Sequence, residues 1–174
     1  MKRLFVLAAF VFIAAIAANA QNKANFAGSW SLDKAKSQGL DQRMADADVT
    51  WTITQDDSKI SIESKVTGGQ APAGGGGGGR GPAGPRTYTL DGKEVTTEGT
   101  GQMGGTNTTK ATWSGDGKTL ELTSVRAGSF NGQDFKATST DKLSLSGDGK
   151  VLTVVRHSES PRGTTDSTWV LNKQ

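Results

Sequence analysis

The sequence predicts an all-β protein that folds as a single antiparallel up-and-down meander of about eight to ten strands. Apolar and polar residues alternate with a period of two along many short segments rich in Val, Ile, Thr and Trp, which is typical of half-buried strands. Turn-forming residues separate these segments. Because a meander exposes two edges unless it closes, the pattern favours a barrel, with a β-sandwich as the alternative.

Each segment between turns is long enough for one strand. Trp51 and Ile53 alternate with threonines, and Leu120 and Leu122 alternate with polar residues in the same way. Residues 34–46 are the one stretch that could hold a short helix, which Gly39 limits. The strands are predicted at 27–33, 48–55, 58–66, 86–91, 93–99, 106–114, 118–127, 133–146, 149–159 and 164–172.

Four connections have the composition of hairpin turns. They are Asp56–Lys59, Asp91–Lys93, Ser114–Lys118 and Ser146–Lys150. Asp-Gly pairs supply the positive φ angles that tight hairpins require. The last two turns recur at an interval of 32 residues, each followed by an alternating apolar pair. One interval therefore contains two strands.

The first twenty residues predict a secretory signal peptide. Lys2 and Arg3 precede an apolar run over residues 4–18, and Ala18-Asn19-Ala20 has the small-residue pattern of a cleavage site. The run is shorter than the roughly 20 residues that span a bilayer, and the chain has no cysteine to accept a lipid. We therefore expect residues 21–174 to form one exported, soluble domain, periplasmic or extracellular, that is not lipidated and has no membrane span after cleavage.

The distribution of charge argues against a nucleic-acid partner. Lys and Arg number 20 against 17 Asp and Glu, and two of the basic residues belong to the signal peptide. The others are scattered singly, whereas a nucleic-acid-binding face needs clustered basic side chains. The pattern predicts no particular oligomeric state.

Residues 68–85 interrupt the strand pattern with a block that contains ten glycines and three prolines. Phosphate-binding glycine loops lie between a strand and a helix and are followed by Lys and Ser or Thr. Here Arg80 is followed by Gly81 and Pro82. We therefore interpret the block as a flexible insertion between two strands.

The stretch from Phe26 to Ser37 resembles the opening of a broad set of uncharacterised secreted bacterial proteins, with the pattern F-x-G-x-W-x-L-D-x-x-K-S. Its Gly28-Ser29-Trp30 is also similar to the G-x-W of lipocalins, in which the Trp closes one end of the barrel against an Arg from a late strand. Arg156 is the nearest equivalent of that Arg. The resemblance implies a lipocalin-like, or calycin-like, barrel, and carries over no substrate.

Six side chains are candidates for binding a ligand. Strand parity places both arginines on the apolar face, where a guanidinium can bind a carboxylate or phosphate with two hydrogen bonds. The alternative is an arginine that reaches solvent at the rim or closes the barrel over Trp30. The tryptophans could line an aromatic pocket or simply fill the core. The candidates are Arg126, Arg156, Trp30, Trp51, Trp113 and Trp169.

The sequence carries no catalytic, metal or cofactor signature. His157 is the only histidine and there is no cysteine, so a zinc site is not expected. Ser158 follows His157 directly and points to the opposite face of a strand, which breaks a local triad. We therefore predict a non-enzymatic exported barrel, without cofactor, that binds a small apolar or anionic amphipathic molecule. The alternative is a filled-core structural or protein-interaction module of the cell envelope.

Overall fold

The computed structural model describes residues 23–68, 84–99, 105–130 and 132–174. The predicted signal peptide and most of the glycine-rich block lie outside the described residues. The described chain contains one short helix and ten strands. The elements are β1 (Gly28–Leu32), α1 (Gln42–Asp46), β2 (Ala47–Gln55), β3 (Lys59–Gly68), β4 (Arg86–Thr89), β5 (Val95–Glu98), β6 (Thr106–Trp113), β7 (Thr119–Phe130), β8 (Gln133–Leu145), β9 (Val151–Ser160) and β10 (Gly163–Lys173).

All ten strands belong to one antiparallel sheet, which confirms the predicted all-β meander. Sequential neighbours pair throughout except between β4 and β5, and β1 pairs with both β2 and β10. The sheet therefore curls into a nearly closed barrel rather than dividing into the two layers of a sandwich. No helix of the described residues is long and apolar enough to cross a membrane.

The two repeated turns have the same internal hydrogen bonds. In the first, the Ser114 hydroxyl donates to Asp116 while its oxygen accepts from the Thr119 amide, and Gly117 has a φ of 70°. The second turn, Ser146–Lys150, repeats these contacts, and its Gly149 has a φ of 68°. Both turns form hairpins, as predicted, because glycine tolerates the left-handed conformation there.

The prediction of a hairpin at Asp91–Lys93 is wrong. The Lys93 amide donates to the Asp91 carboxylate, so a local turn forms, but β4 and β5 on either side of it are the two edges of the sheet. β4 pairs only with the lower part of β3, up to Ile62 opposite Arg86. Among the described residues, the sheet therefore has an open seam between the upper half of β3 and β5.

One end of the barrel is closed by the segment that precedes β1. The Ala24 amide donates to the Gly117 carbonyl in the β6–β7 turn, and Phe26 stacks on Trp113 with ring centroids 6.0 Å apart. Gln55 donates to the Ala24 carbonyl and accepts from the Phe26 amide. We call this the closed end, and the end that contains α1 the open end.

The link between β1 and β2 follows the open end of the barrel. Asp41 caps α1 by accepting from the Met44 amide at 2.8 Å, which fixes the start of this single-turn helix. Gln38 forms an isolated bridge to Thr168 of β10, and Gly39 beside it has a φ of 67°. Residues 34–46, the one stretch that could hold a short helix, contain α1 in their last five residues.

Candidate functional site

The inner face of β6 to β10 is arranged in rows of residues that lie directly opposite one another. We call them the apolar row, the ion-pair row and the hydroxyl row, in order from the closed end. The apolar row is Trp113, Leu120, Leu143, Val154 and Trp169. The ion-pair row is Ala111, Leu122, Asp141, Arg156 and Ser167. The hydroxyl row is Thr109, Ser124, Ser139, Ser158 and Thr165.

The ion-pair row contains a buried carboxylate–guanidinium pair. Asp141, which is 4% exposed, accepts two hydrogen bonds of 2.6 Å from Nε and Nη2 of Arg156. The guanidinium carbon lies 4.6 Å from the ring centroid of Trp169 and 5.9 Å from that of Trp51. Nε and Nη2 of Arg156 are therefore occupied by Asp141, and the guanidinium packs against two indole rings, which gives Arg156 a structural position in the interior.

The environment of Arg156 favours its charged state. Burial opposes the charge on Arg156, but the hydrogen bonds and negative charge of Asp141 outweigh it and raise the pKa of Arg156. Tyr88 of β4 is buried beside the pair, and burial raises the pKa of its phenol. The two charges are thus held as a fixed, neutral unit at mid-height in the barrel.

The alternative that Arg156 closes the barrel over Trp30 is wrong. Trp30 pairs in register with Lys173 of β10, whose Nζ lies 5.4 Å from the Trp30 ring centroid. The Trp30 indole N–H donates to the Phe26 carbonyl at 2.9 Å. The cation over the first-strand tryptophan is therefore a lysine from the last strand, and Arg156 lies one strand away from it, on β9.

The four tryptophans form part of a packed core. Trp30, Trp51 and Trp169 are buried, and Trp113 is half-buried against Phe26. The rings of Trp51 and Trp169 lie 5.6 Å apart. Of the two alternatives for the tryptophans, an aromatic pocket or a filled core, the packing favours the filled core.

Two shallow hollows lie outside this interior. One, of about 260 Å³, contains Glu94, Lys110 and Thr123 in its wall, and the other, of about 350 Å³, contains Lys136 and Glu159. None of the six predicted ligand-binding residues lines either hollow.

The hydroxyl row lies above the ion pair, where the barrel opens. Its exposure increases across the sheet, from buried Thr109 to exposed Thr165. The Ser158 hydroxyl donates to Ser139 at 3.3 Å, and Ser124 lies beside the Tyr88 phenol. The Thr109 hydroxyl donates to the Val95 carbonyl at 3.5 Å. Each hydroxyl offers one donor and two acceptor positions, so these contacts leave part of the hydrogen-bonding capacity of the row unused.

Arg126 lies one step further towards the open end on the same face. It is half-buried, pairs in register with Asn107 and Ala137, and its guanidinium carbon is 5.8 Å from the Phe135 ring centroid. Within the described residues, no carboxylate lies within ion-pairing distance of it. Arg86, at the start of β4, is a second half-buried cation on the inner face. The open half is therefore positively charged.

Two apolar side chains flank the open seam. Val66 of β3 is in register with buried Val49, and Val95 of β5 is in register with buried Thr109, so both belong to the inner face. Each is nevertheless 37% exposed, because the described sheet has no strand between them. Among the described residues, the two valines thus form a partly exposed apolar lining on either side of this seam.

His157 lies on the outer face of β9, away from this interior. Its Nδ1 is 2.6 Å from Asp166 and its Nε2 is 3.3 Å from Glu159, and all three side chains are exposed. Hydrogen bonds to Asp166 and then to Glu159 raise the pKa of His157. Within the described residues, no group of His, Asp and Glu is arranged to hold a metal ion.

Sequence reasoning missed several groups that define the interior. Asp141 shares the parity of Leu143 and Leu145, so the alternation already placed it inside opposite Arg156. The hydroxyl row could be found only from the register of five strands. That register is determined by the turns, and the alternation of residues alone does not specify it. The position of Lys173 over Trp30 also required the register of β10 against β1.

No protein-family model matches this sequence, and no curated protein is similar to it at a significant level. Among solved structures, the chain is similar to zebrafish ileal bile acid-binding protein complexed with cholic acid. The TM-score is 0.47 and the sequence identity is 15%, over 86% of this chain and 98% of that chain.

Proposed function

We propose that this protein is a non-enzymatic binding protein that holds a small anionic amphipathic molecule in the open half of its barrel. Arg126 carries the proposal, since it is a half-buried cation on the inner face with no carboxylate partner among the described residues. A guanidinium in this position binds a carboxylate or phosphate through two hydrogen bonds. Arg86 of β4 adds a second positive charge to the inner face.

The apolar part of such a ligand has surfaces to contact. Phe135 lies beneath the Arg126 guanidinium, and Val66 and Val95 are exposed along the seam. The buried tryptophans serve this site indirectly, because their packing with Arg156 supports the floor on which the hydroxyl row lies. Of the six predicted ligand-binding residues, we retain Arg126 as the anchor and assign the others to the core.

The second candidate function is a filled-core structural or interaction module. The packed lower half of the interior favours it, because Trp30, Trp51 and Trp169 leave their faces covered by protein groups. In that case the open half binds nothing small, and the outer surface carries the function.

We further propose that the protein acts after export. The basic start, apolar run and cleavage site of residues 1–20 support transport out of the cytoplasm, with residues 21–174 as the soluble product in the periplasm or outside the cell. A chain without cysteine depends on packing alone for stability in an oxidising compartment.

The fluorescence of anilinonaphthalene sulfonate, an anionic amphipathic probe, tests the binding proposal. We expect saturable binding to the purified protein and a roughly tenfold weaker affinity for Arg126→Gln, which corresponds to about 1.4 kcal/mol. Arg162→Gln, in the exposed β9–β10 turn, is the matched control because it removes the same charge. Equal affinities of the two variants would contradict the anchor, and no binding by the parent protein would favour the filled-core module.

A further inference from the structure

We infer that the ligand of the open half is a polyhydroxylated anion, such as a sugar or polyol that carries a phosphate or carboxylate. This inference rests on the proposed binding function and specifies its chemical class. The observation behind it is the hydroxyl row, in which Thr109, Ser124, Ser139, Ser158 and Thr165 lie directly opposite one another across five adjacent strands.

The row offers hydrogen-bonding groups at regular spacing. Adjacent strands lie about 4.8 Å apart, so hydroxyls that face one another across the sheet recur at close to that interval. Neighbouring hydroxyls of a sugar ring are separated by shorter distances, so one ring can reach two adjacent members of the row, directly or through water. Ser139 and Ser158, whose oxygens are 3.3 Å apart, form the centre of this surface.

The charged groups on either side of the row restrict the ligand further. On the closed side, Asp141 and Arg156 satisfy each other and present no net charge. On the open side, Arg126 is a cation and Asn107 opposite it is a neutral donor and acceptor. An anionic group is therefore placed towards the open end, and the hydroxyl-bearing part towards the row.

The lateral seam does not supply an alternative apolar site of comparable length. Val66 and Val95 are single apolar residues, with Ser64 next to Val66 on the inner face and Thr97 next to Val95. A hydrocarbon tail would thus leave the valines after one contact and meet polar side chains. A sugar ring, which has one apolar face and polar edges, fits both surfaces.

Two phosphates with six carbons each separate this inference from the proposed function. Glucose 6-phosphate and hexyl phosphate carry the same anionic group and differ in their hydroxyls. We expect isothermal titration of the purified protein to show glucose 6-phosphate binding at least about tenfold more tightly than hexyl phosphate. The double variant Ser139→Ala/Ser158→Ala should lose that preference and retain hexyl phosphate affinity.

Ser144→Ala is the matched control, since Ser144 lies on β8 with the opposite parity and faces outward. Thermal unfolding of each variant verifies that the barrel is intact. Tighter binding of hexyl phosphate, or an unchanged preference in the double variant, would overturn the polyhydroxylated class while leaving the anionic site in place. Failure of both phosphates and of the fluorescent probe to bind would instead refute the proposed function itself.

Discussion

Asp141 and Arg156 lie directly opposite each other on β8 and β9 and join through two parallel hydrogen bonds of 2.6 Å inside the barrel. The pair marks the level at which the interior changes from apolar to hydroxyl-bearing. Arg156 also lies over Trp169 and Trp51, so one side chain connects the charged row to the aromatic core.

Breaking this pair should be more damaging than replacing it. Arg156→Met leaves the Asp141 carboxylate buried without a partner, and we expect the free energy of unfolding to fall by about 3–5 kcal/mol. The double variant Asp141→Leu/Arg156→Met buries no lone charge and should lose less. Urea denaturation of the three proteins measures both effects, and equal losses in the single and double variants would show that the pair is not desolvated.

Trp30 of β1 and Trp51 of β2, both buried, should respond differently to loss of the indole N–H. Trp30 donates to the Phe26 carbonyl, whereas the Trp51 N–H has no partner among the described residues. Trp30→Phe should therefore lower the free energy of unfolding by about 1–2 kcal/mol more than Trp51→Phe, because it leaves the buried Phe26 carbonyl without its donor. Chemical denaturation compares them, and a larger loss for Trp51→Phe would place a bound water or ligand on its N–H.

Gly39 should be the more sensitive of two glycines that share a left-handed conformation. A Cβ on Gly39 would clash with the Asp166 carbonyl oxygen, whereas a Cβ on Gly92 meets nothing within 4 Å. We expect Gly92→Ala to cost about 1–2 kcal/mol from the φ angle alone, and Gly39→Ala to cost clearly more. Melting temperatures provide the comparison, and similar values would mean that the Gln38–Thr168 bridge is dispensable.

The cluster around His157 should make stability depend weakly on pH. Hydrogen bonds to Asp166 and Glu159 raise the pKa of His157 in the folded state. Its contribution is therefore complete below the unfolded pKa of about 6.5 and is lost as pH rises through the higher folded value. The difference in stability between the parent and His157→Gln should shrink over that range. An NMR titration in which the imidazole pKa is at or below the unfolded value would contradict this.

The glycine-rich block should be replaceable, provided that the new linker is long enough. β3 continues to Gly68, whereas β4 begins with Arg86 opposite Ile62, so a replacement linker must span the length of several residues of β3. A Gly/Ser linker of about six residues in place of residues 69–83 covers that distance. We expect stability to change by about 1 kcal/mol or less, and loss of a cooperative melting transition would show that the block is structurally required.

The fold was largely predictable because alternation and turn chemistry are local signals. Ser114–Lys118 and Ser146–Lys150 carry their own hydrogen bonds, so their hairpins follow from the residues. The Asp91–Lys93 turn has the same composition, yet its flanking strands separate, because β4 and β5 find other partners. Whether the two strands on either side of a turn pair with each other depends on the other strands available to them. The composition of the turn does not encode that choice.

The candidate site was predictable only in part. Parity placed Arg126 and Arg156 on the inner face, but their roles depend on what lies opposite. Asp141 lies opposite Arg156 and forms an ion pair with it. Ala137 and Asn107 lie opposite Arg126, and because neither is charged they leave its charge uncompensated. Such distinctions require cross-strand register, which a single sequence specifies through many weak preferences rather than one motif.

The open seam has a consequence for how copies of this chain behave together in a crowded compartment. Bare strand edges are templates on which another polypeptide can add and start a polymer. Here the upper half of β3 carries Glu63 and Lys65 on its outer face, and the four-residue β5 ends at Glu98. Charges on a short edge oppose such addition, because a copy that pairs there must bury them. Among the described residues, this seam is thus protected against self-propagating strand addition.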